Sequence, residues 1–200
     1  MPYQPPVRDH LFLLRDVLQI ERYGDLPGFS EASMDVVAQI VEEAGRFTAE
    51  VLAPLNSVGD KQGCTWHADH SVTTPDGFKA AYKALVEGGW PALGADKAYG
   101  GQGMAHVVNL AFSEMSSSAN MAFSMYPGLT HGAYSAIHTG GSQAQKDLYL
   151  PKLISKAIGS WKESLQIWAF QRRFIFCTFF LRKIFSHVRD ILGQSIVFSN

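Results

Sequence analysis

The sequence predicts an all-α protein built as a helical bundle, and three observations carry that reading. Apolar residues recur at helical spacing along the first 150 positions. The clearest run is Val36, Val37, Ile40, Val41, Ala44, Phe47, Val51 and Leu52, with acids between them. Helix punctuation, meaning small polar caps before such runs and Gly or Pro after them, falls where the period breaks. Strand signals are weak throughout.

Leu11, Leu14 and Leu18, flanked by Phe12 and Val17, put an apolar stripe on a first helix from about Arg8 to Glu21. "YGDLPGFS" breaks it with two glycines and a proline. The long run from Val36 follows, with Ser30 as its N-cap and Pro54 as its stop. Residues 55 to 76 read as a polar loop ending in a cap-like Thr74 before Pro75. A helix from about 75 to 87 turns Phe78, Tyr82 and Leu85 inward, and Gly88-Gly89 close it. "AHVVNLAFSEMSSSA" and "NMAFSMYPGLTHGAYSAIHT" are two long apolar helices without a broad charged face, so both are expected to be buried. Gly140-Gly141 ends the second, and Ser142 to Gln145 forms a capping box that starts "QAQKDLYLPKLIS".

Composition narrows the function. With 46% hydrophobic and 18% charged residues, the chain has the balance of a soluble globular protein. A net charge of −1 gives no global case for nucleic acid. Two cysteines are no disulfide framework, so a reducing compartment is expected. The N-terminus lacks the basic start and apolar run of a signal peptide, and no window reads as a membrane span; the expected location is cytoplasmic. Charge divides sharply along the chain. Residues 1 to 155 carry 10 Lys/Arg against 16 Asp/Glu, whereas residues 156 to 200 carry 7 against 2. That tail also holds seven of the thirteen phenylalanines and no proline.

Local motifs add little chemistry by themselves. "ADKAYGGQGM" at 95 to 104 looks like a phosphate cradle, but no convincing strand precedes it and no Gly-Lys-Ser/Thr follows. The better reading is that its glycines let the backbone turn tightly between buried helices. Cys64, His67 and His70 fall short of the four ligands of a structural zinc site, so no metal is expected. His131, Tyr134 and His138 share one helix face, which suits a pocket wall or ordinary core packing. Glu114 is a lone acid, and nothing forms a nucleophile elbow or a paired-carboxylate site.

Seven segments in order resemble the N-terminal helical domain of the acyl-CoA dehydrogenases. They are "RDHLFLLRDVL", "EEAGRFTAEVLAPLN", "GDKQGC", "TTPDGFKAAYKALVEGGW", "YGGQGM", "NMAFSMYPGLTHGAYSAIHTGG" and "QKDLYLPKLIS". Within the family they are similar to the subgroup with an N-terminal extension that includes 3-methylmercaptopropionyl-CoA dehydrogenase. The resemblance divides the chain into an extension at 1–30, the helical domain at 31–155 and a non-matching tail at 156–200. It implies FAD, an acyl-CoA substrate, electron-transferring flavoprotein as partner, a homo-oligomer, and α,β-dehydrogenation by a glutamate base and hydride transfer to flavin. It also implies that Tyr126, Leu129, Thr130 and His131 line the acyl-chain pocket, and that Tyr99, Gly100, Gly101 and Gly103 shape the domain near substrate and flavin.

The resemblance stops at Ser155. The family's flavin-binding segment, β-domain, C-terminal bundle and glutamate have no counterpart here, so no residue is assigned as base. The composition break at the same point suggests a non-homologous end, as a frameshift, an insertion scar or an early stop after one would produce. The expectation is an acyl-CoA dehydrogenase fragment, inactive alone and marginally stable. The alternative is a non-catalytic helical module whose basic tail binds a membrane or a partner.

Overall fold

The structure is a computed structural model and describes residues 2–26 and 28–155. The 156–200 tail, with its composition break, lies outside the described residues. Among the described residues the chain is helical, apart from one exposed two-residue hairpin pairing Thr65–Trp66 (β1) with Val72–Thr73 (β2).

The first helix is shorter and less regular than its leucine spacing predicts. α1 (Val7–Phe12) widens into a π-turn at Leu13–Val17, and a 3-10 turn follows at Ile20–Tyr23. His10, Leu14 and Ile20 are buried, while Phe12, Val17 and Leu18 stay exposed. The expected stripe assumed 3.6 residues per turn, and the wide turn moves its second half off that face. This arm is anchored all the same. The Tyr3 hydroxyl donates to the Met115 carbonyl (3.0 Å), and Val7 packs so close to Gly45 that a Cβ there would lie 2.5 Å from its Cγ2.

α2 (Met34–Phe47) begins after Ser33, not Ser30, and no side chain of its own caps it. The carboxylate of Glu21 instead accepts the Met34 N–H at 2.8 Å from thirteen residues upstream. Pro54 does not stop the helix as expected. A π-turn at Thr48–Leu52 leads straight into α3 (Ala53–Gln62), where Pro54 occupies the first turn, the one place a helix needs no N–H from it. Residues 55–62, about a third of the supposed polar loop, are therefore helix. α4 (Phe78–Glu87) starts at Gly77, whose φ of 82° leaves no cap role for Thr74. Phe78 and Leu85 are buried as their spacing predicts, and Tyr82 is half-buried.

α5 (His106–Ala119) and α6 (Met121–Gly140) are separated by a single extended residue, Asn120. Its Oδ1 accepts the Phe123 N–H (3.0 Å), and its Nδ2 donates to the Leu52 carbonyl (3.2 Å), which ties α6 to the π-turn. α7 (Gln143–Ser155) opens with the predicted capping box. The Gln145 side chain accepts the Ser142 N–H (2.8 Å), and the Ser142 hydroxyl accepts the Gln145 N–H (3.4 Å).

The core lies where α2, α4, α5 and the 48–52 turn converge. Val37, Val41, Leu52, Leu85, Val108 and Met115 are buried there, and Trp90 stacks on Phe112 with ring centroids 4.3 Å apart. α6 departs from expectation. It buries only Phe123 and Ala133, and Met121, Met125 and Leu129 are exposed. A missing charged face signals burial only when a partner exists to cover the helix, and the described residues supply that cover on one side alone.

Candidate functional site

Two features compete for function: the glycine loop and the space beside α6. The loop closes on itself. The N–H groups of Gly100, Gly101, Gln102, Gly103 and Met104 donate to the carbonyls of Lys97, Asp96, Ala92, Ala95 and Leu93, at 2.8–3.1 Å. No amide in that run is left to face a phosphate, so the tight-turn reading is the one the geometry supports. Gly101 shows why the residue must be small. A Cβ there would meet the Ala95 carbonyl oxygen at 2.0 Å, backbone that cannot move aside.

The loop is fastened to the C-terminal half of α6. Asp96 Oδ1 caps the Ala98 N–H (2.8 Å), its Oδ2 meets His138 Nε2 (3.1 Å), and its own N–H donates to the Tyr134 hydroxyl (2.8 Å). The Ala98 amide, followed by His138, holds the Asp96 carboxyl below the usual carboxylate range. Tyr134 stacks on His138 (5.5 Å, 15°), and Tyr99 meets the same ring edge-on. Of the face formed by 131, 134 and 138, two members are therefore occupied in clamping the loop.

A cavity of about 360 Å³, open to solvent along part of its wall, lies between α5 and α6 and is bordered also by Trp90 and Pro91 and by Leu153 and Ile154 of α7. Of the four residues expected in an acyl-chain pocket, Thr130 and His131 line this cavity; Tyr126 and Leu129 do not. Tyr126 packs on Phe78 and Phe123 and lies 3.8 Å from the Cys64 thiol. Burial, with Cys64 beside it, pushes its phenol up to about 12. Leu129 points to solvent. Tyr99, Gly100, Gly101 and Gly103 are absent from the cavity wall.

Among the described residues the wall holds no carboxylate, Lys or Arg. Burial, and then the neighbouring His106, lowers the pKa of His131, so that ring is neutral near pH 7. Burial also raises the phenols of Tyr82 and Tyr134. Such a wall binds by shape and neutral hydrogen bonds and offers no carboxylate base. The flavin dinucleotide implied by the family resemblance does not fit here, because among the described residues the cavity wall brings no Lys or Arg to its pyrophosphate. Elsewhere His67 Nε2 bonds Thr73 (2.7 Å) and His70 packs on Trp66, so the two rings that follow Cys64 in sequence are engaged separately.

Sequence reasoning missed Ser113, Ser116 and Ser117, which line the cavity from α5. A signal for them existed: small polar residues at i, i+3 and i+4 within an otherwise apolar helix.

Comparison with known proteins bears on the whole arrangement. Residues 34–157 match the family model described as acyl-CoA dehydrogenase, N-terminal domain. The chain is 38% identical over 167 residues to a 3-methylmercaptopropionyl-CoA dehydrogenase of Ruegeria pomeroyi, covering 84% of this chain and 28% of that protein. It is 31% identical over 145 residues to the broad-specificity linear acyl-CoA dehydrogenase FadE5 of Mycobacterium tuberculosis, covering 72% and 24%. A butyryl-CoA dehydrogenase of Syntrophomonas wolfei is 27% identical over 162 residues, covering 80% and 26%. The match to each relative thus takes in between 24% and 28% of that relative's length.

Proposed function

The chain belongs to the acyl-CoA dehydrogenase family, and on that footing we propose that residues 31–155 are the N-terminal helical domain of an enzyme that dehydrogenates an acyl-CoA thioester across its α,β bond. In this reading residues 1–30 are an extension clasping α2 and α5, and residues 156–200 are a tail of different origin. The supporting observation is α6. Twenty residues without an Asp, Glu, Lys or Arg leave Met121, Met125 and Leu129 in solvent. An apolar stripe of that length is costly to leave wet, at about 25 cal/mol per Å². It makes sense as a surface finished by an acyl chain and by further parts of the enzyme.

The roles follow from placement. Leu129 and its neighbours on the outward face supply apolar contact for the acyl chain, flanked by Tyr126 and Thr130, with His131 at the edge nearest the cavity. The loop at Tyr99, Gly100, Gly101 and Gly103 fixes the far end of α6 through Asp96, which sets the angle of that wall. These residues exclude water and position substrate. Proton abstraction and FAD binding belong to parts of the family fold outside the described residues, because no acid borders the cavity or interrupts α6. Electron-transferring flavoprotein as acceptor, homo-oligomerisation and a cytoplasmic location complete the proposal. No helix among the described residues is long and apolar enough to cross a membrane.

A chimera tests the proposal. Residues 34–155 replace the matching segment of the Ruegeria pomeroyi relative, and flavin content and acyl-CoA dehydrogenation are measured. Retained flavin with measurable turnover is the expected result. A folded, flavin-loaded chimera without turnover on any acyl-CoA would overturn it.

A further inference from the structure

Residues 28–33 lead from the N-terminal extension into α2, and they lie against the glycine loop on the way. Gly28 (φ 83°) comes so close that a Cβ there would fall 3.3 Å from the Gly103 carbonyl oxygen and 3.6 Å from the Ala105 Cα. Three residues on, the Glu31 carboxylate pairs with the Lys97 ammonium. The Lys97 stem runs over Gly103, where a Cβ would meet its Cε at 2.9 Å. The segment is itself held from behind. Ala32 is buried, and Phe29 packs against the core and on the Tyr23 ring (5.8 Å).

We propose that residues 28–33 are a positioning strap: through Glu31 and Lys97 they set the glycine loop, and through the loop they set the second half of α6. Lys97 holds the strap, Asp96 holds Tyr134 and His138, and one peptide bond joins the two. Both belong to a single 3-10 turn at Lys97–Tyr99, capped by the Asp96 carboxylate. Gln143 of α7 reaches the same turn, with its Nε2 3.3 Å from the Tyr99 hydroxyl. The loop is braced by its own hydrogen bonds from Gly101, Gly103 and Met104, so a push on Lys97 shifts it as a unit. An exposed ion pair is ordinarily worth little. This one joins residues 66 apart in sequence, so its effect is expected in the position of an element more than in total stability. The consequence for substrate rests on the acyl-wall reading of α6; the mechanical coupling does not.

Amide hydrogen exchange in the full chain reads the coupling alone. Glu31→Gln and Lys97→Met should each speed exchange at residues 132–140 about 2- to 5-fold, the range an exposed pair can supply, with α2 amides unchanged. The reversed pair, Glu31→Lys with Lys97→Glu, should bring α6 back to within about 1.5-fold of the unmodified chain. In a His138→Ala background the loop has lost one hold on α6, and Glu31→Gln should there have less than half its effect on the same amides. The proposal is overturned if α6 exchange is unchanged in both single variants, or if α2 speeds up by the same factor. Failure of the reversed pair to recover, or an undiminished effect in the His138→Ala background, overturns it equally. A turnover-dead chimera with this coupling intact would count against the acyl wall and leave the strap standing.

Discussion

The layer of α2, α4 and α5 and the helix α6 beside it are both strongly apolar, yet they use that surface in opposite ways. In the layer, Val37, Leu52 and Met115 are 0% exposed. On α6, Met125 and Leu129 are 63% and 62% exposed. The layer buries most of its apolar side chains against one another, leaving Val36 and Leu110 as its exposed exceptions. α6 is attached mainly through Phe123, the Asn120 bridge and the Asp96 clamp, and presents the remainder outward. The difference teaches that apolar content reports what a helix is made to touch, not what touches it within one chain. The family assignment accounts for the asymmetry, since this domain is one element of a larger enzyme in each matched relative.

The contrast can be broken from either side. The largest effect should come from the one large α6 side chain that joins the core. Phe123→Ala removes a ring packed against Phe78 and Tyr82 and should cost about 3–5 kcal/mol, measured by urea denaturation of the full chain. Next, Asn120→Ala takes away the α6 cap and the side-chain bridge to the Leu52 carbonyl in a buried site. A loss of about 1–3 kcal/mol is expected, with α6 amides exchanging hydrogen faster than those of α2. Gly101→Ala drives a Cβ into the Ala95 carbonyl and should cost about 1–3 kcal/mol, releasing the loop from α6.

Acid sharpens the comparison more gently. His131 has a lowered pKa in the fold, so the unfolded chain binds more protons as pH falls below about 6.5. Stability should therefore drop as pH falls through that region towards the folded value. Asp96, also lowered, adds a further loss only at more acid pH, once its carboxyl is protonated. Thermal scans from pH 8 to 4 should show a decline on α6 probes first, and His131→Asn should flatten its upper part. The smallest effect belongs to the outward face. Leu129→Ala should change the stability of this chain by within about 0.5 kcal/mol, because nothing in the described residues covers it.

Much of the fold was legible in the sequence because it is local. The capping box at Ser142, the glycine pair after α4 and the periods of α5 and α6 depend on residues within a turn or two of each other. What was missed depends on distant partners or on departures from the α-helical period. Glu21 caps α2 from across a loop, so Ser30 was a reasonable but incorrect choice. Pro54 was read as a stop, since a proline inside a helical period usually is one, yet here it falls in a first turn. The glycine loop was correctly denied a phosphate role from its lack of a preceding strand. Its true constraint, a backbone pressed against Ala95, has no one-dimensional signature. Ser116 was overlooked because a serine in a helix is ordinary until its burial is known.

The wide turn at Thr48–Leu52 works as a phase shifter. By spending one extra residue, it rotates everything downstream by about 100° relative to an uninterrupted helix, and that rotation brings Gly59 under the Phe78 ring, where a Cβ would sit 2.8 Å from Cζ. Deleting Glu50 from the turn would keep every hydrophobic letter and every cap, yet swing α3 out of phase. The two halves of this continuous rod are therefore set to each other by number of residues, more than by their chemical identity.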